Sequence, residues 1–258
     1  MKPRVLHGLL ALLLLLAATG AAQAERLITS LSSSRVLIGS QYSGAELVLF
    51  GSIEREGLAV SRVGPYHLII IVRGPPTPVT VREKERIGPV WVNATQRKFV
   101  DVPGFLAVLK SGPLAGIIDG GLAARRQLTL QSIIAQTPVT EAYDPETDEY
   151  RAALVRLRLA NGLFQQIEGA VTMLTPSLFR VAISLPGTAP TGNYEVTTHL
   201  FADGSPLARE TSNFEVRRIG FEAAVHNAAQ GLPFFYGLAA CLIALAAGWL
   251  ASVVFRRD

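Results

Sequence analysis

The chain has 258 residues, 49% of them apolar, with 24 Lys and Arg against 20 Asp and Glu and a single cysteine. That length suits one large domain or two small ones. The net charge of +4 is carried by the two ends, because without Lys2, Arg4, Arg256, Arg257 and Asp258 the chain holds 20 basic and 19 acidic residues, and that balance excludes the basic footprint a nucleic acid requires.

Lys2 and Arg4 precede the apolar run Leu9 to Ala18, and Ala22-Gln23-Ala24 supplies the small residues of a cleavage site. This pattern predicts a signal peptide over 1–24 and a mature chain starting at Glu25. The run falls short of the ~20 apolar residues that cross a bilayer; left uncut, its basic end would still stay inside.

From Leu27 to Val100 short β-rich runs are cut by Gly and Pro. Arg35 to Ile38, Glu46 to Phe50 and His67 to Val72 are expected strands, the last buried on both faces. Val79 to Arg82 alternates like a half-exposed strand, and Trp91-Val92-Asn93 is a further short one after the Gly88-Pro89 turn. The middle of the chain changes period. Phe105 to Lys110 and Leu122 to Ile134 are expected short helices. Asp144-Pro145 opens a longer helix to about Ala160, with Asp144 as cap, Tyr150, Leu154 and Leu157 as buried stripe, and Asn161-Gly162 as stop. The acidic cluster Glu141 to Glu149 lacks the glycine and closing glutamate of a calcium loop, so it fits helix capping.

After Gln166 the β signal returns, with strands expected at Ala170 to Leu174, Leu178 to Leu185, Tyr194 to Phe201 and Asn213 to Arg217. Tyr194 follows a Pro190-Thr191-Gly192-Asn193 turn and opens an alternating strand, a pattern resembling the tyrosine corner of immunoglobulin-like sandwiches. Asp203-Gly204 is a hairpin turn. The expectation is a mainly β chain: an immunoglobulin-like β-sandwich over 25–218 with a helical insertion at about 103–165, or alternatively two small β-domains. With Cys241 outside this segment, the sandwich must be held by apolar burial without disulfides.

A juxtamembrane helix is expected at 219–231. Leu232 to Phe255 then runs 24 residues without a charged side chain before Arg256-Arg257-Asp258. This predicts a transmembrane helix at 232–255 and a cytoplasmic tail at 256–258. Trp249, Arg256 and Arg257 are its topology anchors, with Phe234, Phe235 and Tyr236 at the opposite interface. Ala240, Ala244, Gly248 and Ser252 recur every four residues and form a candidate helix–helix interface, for a polytopic partner or for self-association. The span has no ionisable residue, so alone it is neither pore nor proton path.

His67, His199 and His226 lie in separate segments without metal-ligand spacing, and His67 and His199 fit ordinary strand positions. No G-x-S-x-G, exported cysteine, P-loop or G-x-G-x-x-G occurs. Asp101, Asp119 and Asp203 sit beside turn residues, where Asp is favoured locally. No catalytic, cofactor-binding or metal-binding residue is therefore assigned. The expectation is a non-enzymatic module, with a membrane-tethered enzyme or solute-binding domain as the alternative. Arginine outnumbers lysine 20 to 4, which fits a GC-rich genome and, with the missing disulfides, a bacterial inner membrane facing the periplasm.

The runs Val36-Leu37-Ile38, Tyr42 to Gly51, Val72-Arg73-Gly74-Pro75, Trp91-Val92-Asn93, Leu178-Phe179-Arg180 and Gly248 to Asp258 together resemble a family of alphaproteobacterial transmembrane proteins with one C-terminal span and no assigned activity. The resemblance implies a neighbourhood of membrane proteins similar to sulfite or organosulfonate exporters. It thereby implies a periplasmic accessory role docking on an inner-membrane anion exporter, and it carries over no site residues.

Overall fold

Runs of Val, Ile, Leu and aromatic residues, punctuated by Gly and Pro, become strands in the computed structural model, which describes residues 25–39, 44–54, 65–140, 144–218, 225 and 229–254. In chain order these are β1 (Arg26–Leu31), β2 (Arg35–Ile38), β3 (Ala45–Glu54), β4 (His67–Arg73), β5 (Pro76–Ile87), β6 (Val90–Pro103) and β7 (Leu106–Lys110). Four short or medium helices follow: α1 (Leu114–Ile117), α2 (Gly120–Arg125), α3 (Leu130–Ala135) and α4 (Thr147–Ala160). Then come β8 (Phe164–Glu168), β9 (Val171–Met173), β10 (Leu178–Leu185), β11 (Gly192–Ala202), β12 (Ser205–Arg218) and the apolar helix α5 (Pro233–Val254).

One sheet has the order β1-β3-β10-β9 and the other β2-β12-β11-β4-β7-β8. The first is antiparallel throughout, whereas the second contains the parallel pairs β2–β12 and β7–β8. Leu47, Leu49, Phe179, Val181 and Ile183 of the first sheet share one core with Leu68, Ile70, Val72, Leu109, Val196 and Phe214 of the second. Alternation along β10 puts every second residue into that core, as the two-residue period of a strand demands. The opposite face of the second sheet is also covered. There Ile69, Ile71, Leu106, Val108, Phe164 and Phe201 meet Ile117, Leu130, Ile134, Tyr150 and Leu154 from the helices. β4 thus reads Leu-Ile-Ile-Ile-Val because it lies between two cores, and each such side chain contributes about 1.5–3 kcal/mol on burial.

The Tyr194 ring is 1% exposed, and its hydroxyl donates to the Pro190 carbonyl at 2.7 Å. The ring stacks on Phe214 at 5.0 Å, which fixes the entry to β11. Asp203 (φ 51°) and Gly204 (φ 72°) both adopt the left-handed region, the requirement of a type I′ hairpin.

Several expectations need correction. Phe105 to Lys110 is not a helix: Leu106–Lys110 is strand β7, and all five residues are buried. A five-residue apolar run carries no period that separates helix from strand, and pairing with both β4 and β8 decides the outcome. Leu122 to Ile134 splits into α2 and α3. Leu157 is 51% exposed while Val155 is buried, so the buried face of α4 is rotated from the expected stripe. Trp91-Val92-Asn93 belongs to a 14-residue strand in the β5–β6 hairpin, whose base contributes Val81, Phe99 and Val102 to the second core. α4 begins at Thr147, whose amide donates to Asp144 Oδ1 at 3.0 Å. The expected signal peptide, His226, most of the juxtamembrane helix and Arg256 to Asp258 lie outside the described residues.

Candidate functional site

Alternation along β4 turns Ile69, Ile71 and Arg73 toward the helical side of the second sheet. The register places Glu195 opposite Arg73, Thr197 opposite Ile71 and His199 opposite Ile69 on β11, and Arg209 of β12 opposite His199. Paired residues share a face, so five neighbouring positions, Arg73, Glu195, Thr197, His199 and Arg209, present polar groups there. The helices pack over the Ile69 and Phe201 end of this face. Where that cover stops, Ile71, Arg73, Arg125, Arg126, Gln127, Thr197, His199 and Arg209 line a cleft of about 270 Å³. Arg73 and Gln127 also line an adjoining hollow of about 360 Å³, and Arg126, His199 and Arg209 line another of about 450 Å³.

The far wall is built by the end of α2. Leu128 N–H donates to the Ala123 carbonyl at 3.0 Å and Gln127 N–H to that of Ala124 at 3.1 Å, a Schellman ending. α4 ends in the same way, with Leu163 N–H on the Arg158 carbonyl and Gly162 N–H on that of Leu159, each at 3.0 Å. At α4 the left-handed residue is Gly162 (φ 69°), whereas at α2 it is Gln127 (φ 56°). A residue with a Cβ costs about 1 kcal/mol or more in that conformation. Its side chain makes two contacts in return: Gln127 Oε1 accepts from Arg73 Nη2 at 3.2 Å, and Gln127 Nε2 donates to Gln136 Oε1.

The electrostatics are one-sided. None of Arg73, Arg125, Arg126 and Arg209 forms an ion pair with a carboxylate among the described residues. Arg73 Nε is buried and has no hydrogen-bond partner there, a loss of about 1–3 kcal/mol for a desolvated donor. Burial lowers the pKa of the Arg73 guanidinium, Glu195 opposes that shift and Arg209 adds to it. His199 is pushed down to about 4, first by burial and then by Arg209, Arg126 and Arg73. Its imidazole is therefore neutral at neutral pH, offering one N–H and one bare nitrogen. Thr197 Oγ1, itself in the lining, donates to Glu195 Oε1 at 3.1 Å, and the Glu195 charge acts on Arg73 without lining the cleft. Guanidinium groups donate and never accept, and the arrangement suits an anionic group.

His199 lies in β11, a strand position as expected, and the fold sets it beside four arginines. Arg73, Arg125, Arg126, Gln127, Thr197 and Arg209 were not anticipated; the one local signal is a cation closing the otherwise apolar run of β4. The membrane-side positions lie apart from the cleft. Ala240, Ala244, Gly248 and Ser252 sit on α5, a helix of mean hydropathy 2.0 over Pro233–Val253 with none of that window buried. Trp249 on the same helix is 68% exposed. Among the described residues no group of three His, Cys, Asp or Glu side chains could hold a metal ion.

The family model described as "Putative transmembrane protein (Alph_Pro_TM)" matches residues 26–257. No curated protein matches the chain. Among solved structures, the N-terminal domain of the Streptococcus gordonii adhesin Sgo0707 aligns at 8% identity with a TM-score of 0.28. That alignment covers 74% of this chain and 32% of that one, so this chain spans about a third of the matched structure's length.

Proposed function

The chain belongs to this family of transmembrane proteins, and on that premise we propose that it is a non-enzymatic accessory module, anchored by α5, that receives an anionic group in the arginine-lined cleft. The observation that carries the reading is the convergence of Arg73, Arg125, Arg126 and Arg209 on one cleft whose lining holds no carboxylate. Arg73 is partly buried and Arg125, Arg126 and Arg209 are exposed at the cleft rim; crowded cations are normally paired, so four that form no ion pair with a carboxylate among the described residues are a place where an anion would supply the missing counter-charge. In this reading Arg256 and Arg257 hold the tail in the cytoplasm and the sandwich faces the periplasm. The Ala240, Ala244, Gly248 and Ser252 face then docks on a polytopic inner-membrane anion exporter. Photo-crosslinkers at those four positions should capture such a protein in native membranes, and capture of nothing, or of this chain alone, would count against docking.

The cleft is tested by thermal unfolding of the full chain in maltoside detergent at constant ionic strength, with sodium sulfate, phosphate and acetate added in turn. A ligand at about 100 times its Kd stabilises by about 2.7 kcal/mol, which is about 5–10 °C for a domain of this size. A saturable rise of that order is expected for at least one salt and should vanish in Arg126→Ala and Arg209→Ala. A rise of equal size in both variants would be a general salting effect and would refute the proposal.

A further inference from the structure

Resting on the reading of the cleft as an anion site, we infer that its ligand is a tetrahedral oxyanion group carrying two negative charges, free or as the terminal group of a small ester. Charge is the first argument. The lining holds four guanidinium groups, a neutral imidazole, a hydroxyl, an amide and Ile71. The nearest carboxylate, Glu195, stands opposite Arg73 and accepts the Thr197 proton. Even counting Glu195, about three positive charges remain uncompensated, and a single monovalent ion leaves most of that repulsion in place.

Direction is the second argument. A carboxylate is planar and is satisfied by one guanidinium fork lying in its plane. Here the forks come from three elements with different origins: Arg73 from β4, Arg209 from β12, and Arg125 with Arg126 from the end of α2. Donors arriving from two strands of the sheet, β4 and β12, and from the helix wall match oxygens arranged in three dimensions. Gln127 spends its carbonyl oxygen on Arg73 Nη2, which leaves the buried Arg73 Nε as the floor donor still without a partner.

Size is the third argument. A cleft of about 270 Å³ is several times the ~30 Å³ share of one water. It holds a tetrahedral ion with accompanying waters, and it is too small for a folded macromolecular ligand. The bare nitrogen of neutral His199 supplies an acceptor for the proton of hydrogen phosphate, and its N–H a donor for sulfate, which carries none, so both fall in the class.

The test is isothermal titration of the full chain in maltoside, at about pH 8 so that phosphate groups carry nearly two charges. Sulfate, hydrogen phosphate, methyl phosphate and acetate are the probes, each at the same ionic strength. At least one tetrahedral dianion should bind about tenfold or more tighter than acetate, and Arg209→Ala, an exposed position, should weaken it about tenfold while leaving the circular dichroism unchanged. Arg73→Lys, which keeps the charge but loses the fork, should weaken it by a similar factor. Methyl phosphate matching or exceeding the free ions places the group on an ester; free ions binding tighter places it in inorganic form. Acetate binding as tightly as any dianion, with the same Arg209 dependence, overturns the ligand class and leaves the anion site standing. Saturable heat from none of the probes overturns both.

Discussion

Gly51 shows how a single hydrogen in place of a side chain can define a packing arrangement. It sits opposite Phe179 in the β3–β10 pair, and a Cβ built there would lie 2.2 Å from the Phe179 ring. Phe179 is 0% exposed and cannot swing out, so Gly51→Ala should destabilise the fold by about 1–3 kcal/mol, measured as a lower denaturant midpoint with an unchanged slope. Gln127 makes the opposite case. A glycine in its place would relax the left-handed turn that ends α2, so Gln127→Gly should raise or preserve thermal stability while weakening anion binding through loss of the Arg73 contact. A variant that loses stability and binding together would show that Gln127 is structural. His199 gives a pH signature. Its folded pKa of about 4 lies below the unfolded value of ~6.5, so the unfolded chain binds more protons between them. Stability is then highest above ~6.5 and is lost as pH falls toward 4. The groups that face it, Arg73, Arg125, Arg126 and Arg209 with Thr197 beside it, include no acid to reverse that sign. His199→Gln should therefore lose less stability than the parent between about pH 7 and 5, and an equal loss would contradict the burial of the imidazole.

At the scale of elements, legibility tracks how local the determining interactions are. β10 and β11 carry their own period, bounded by turn residues, and both are found where alternation puts them. Tyr194 could be assigned because its partner, Pro190, is four residues away. Gly162 announced the end of α4, while the equivalent stop after Arg126 was invisible because Gln127 takes a place that glycine normally marks. β7 was misassigned because its strand character comes from β4 and β8 and not from its own sequence. The same pairing explains a lysine in a core: Lys110 is 1% exposed, and its Nζ donates to Glu168 Oε1 at 2.8 Å on the adjacent parallel strand.

Across the whole molecule, the membrane helix and the mainly β chain were legible, because composition and period are summed over many residues. The cleft was not. Arg73, the pair Arg125 and Arg126, His199 and Arg209 come from four separate segments, and only the order β12-β11-β4 and the helical layer between β7 and β8 bring them together. Any one of these arginines, seen in the sequence, is an ordinary solvated cation; their convergence is a tertiary fact. The most direct measurement is an anomalous-difference map from crystals of the full chain soaked in selenate, a heavy tetrahedral dianion. The account predicts a peak in the cleft within hydrogen-bond reach of Arg73 Nε, at about 2.7–3.2 Å for its nearest oxygen. Selenate bound only at other surface arginines, with this cleft unoccupied at saturating concentration, would contradict it.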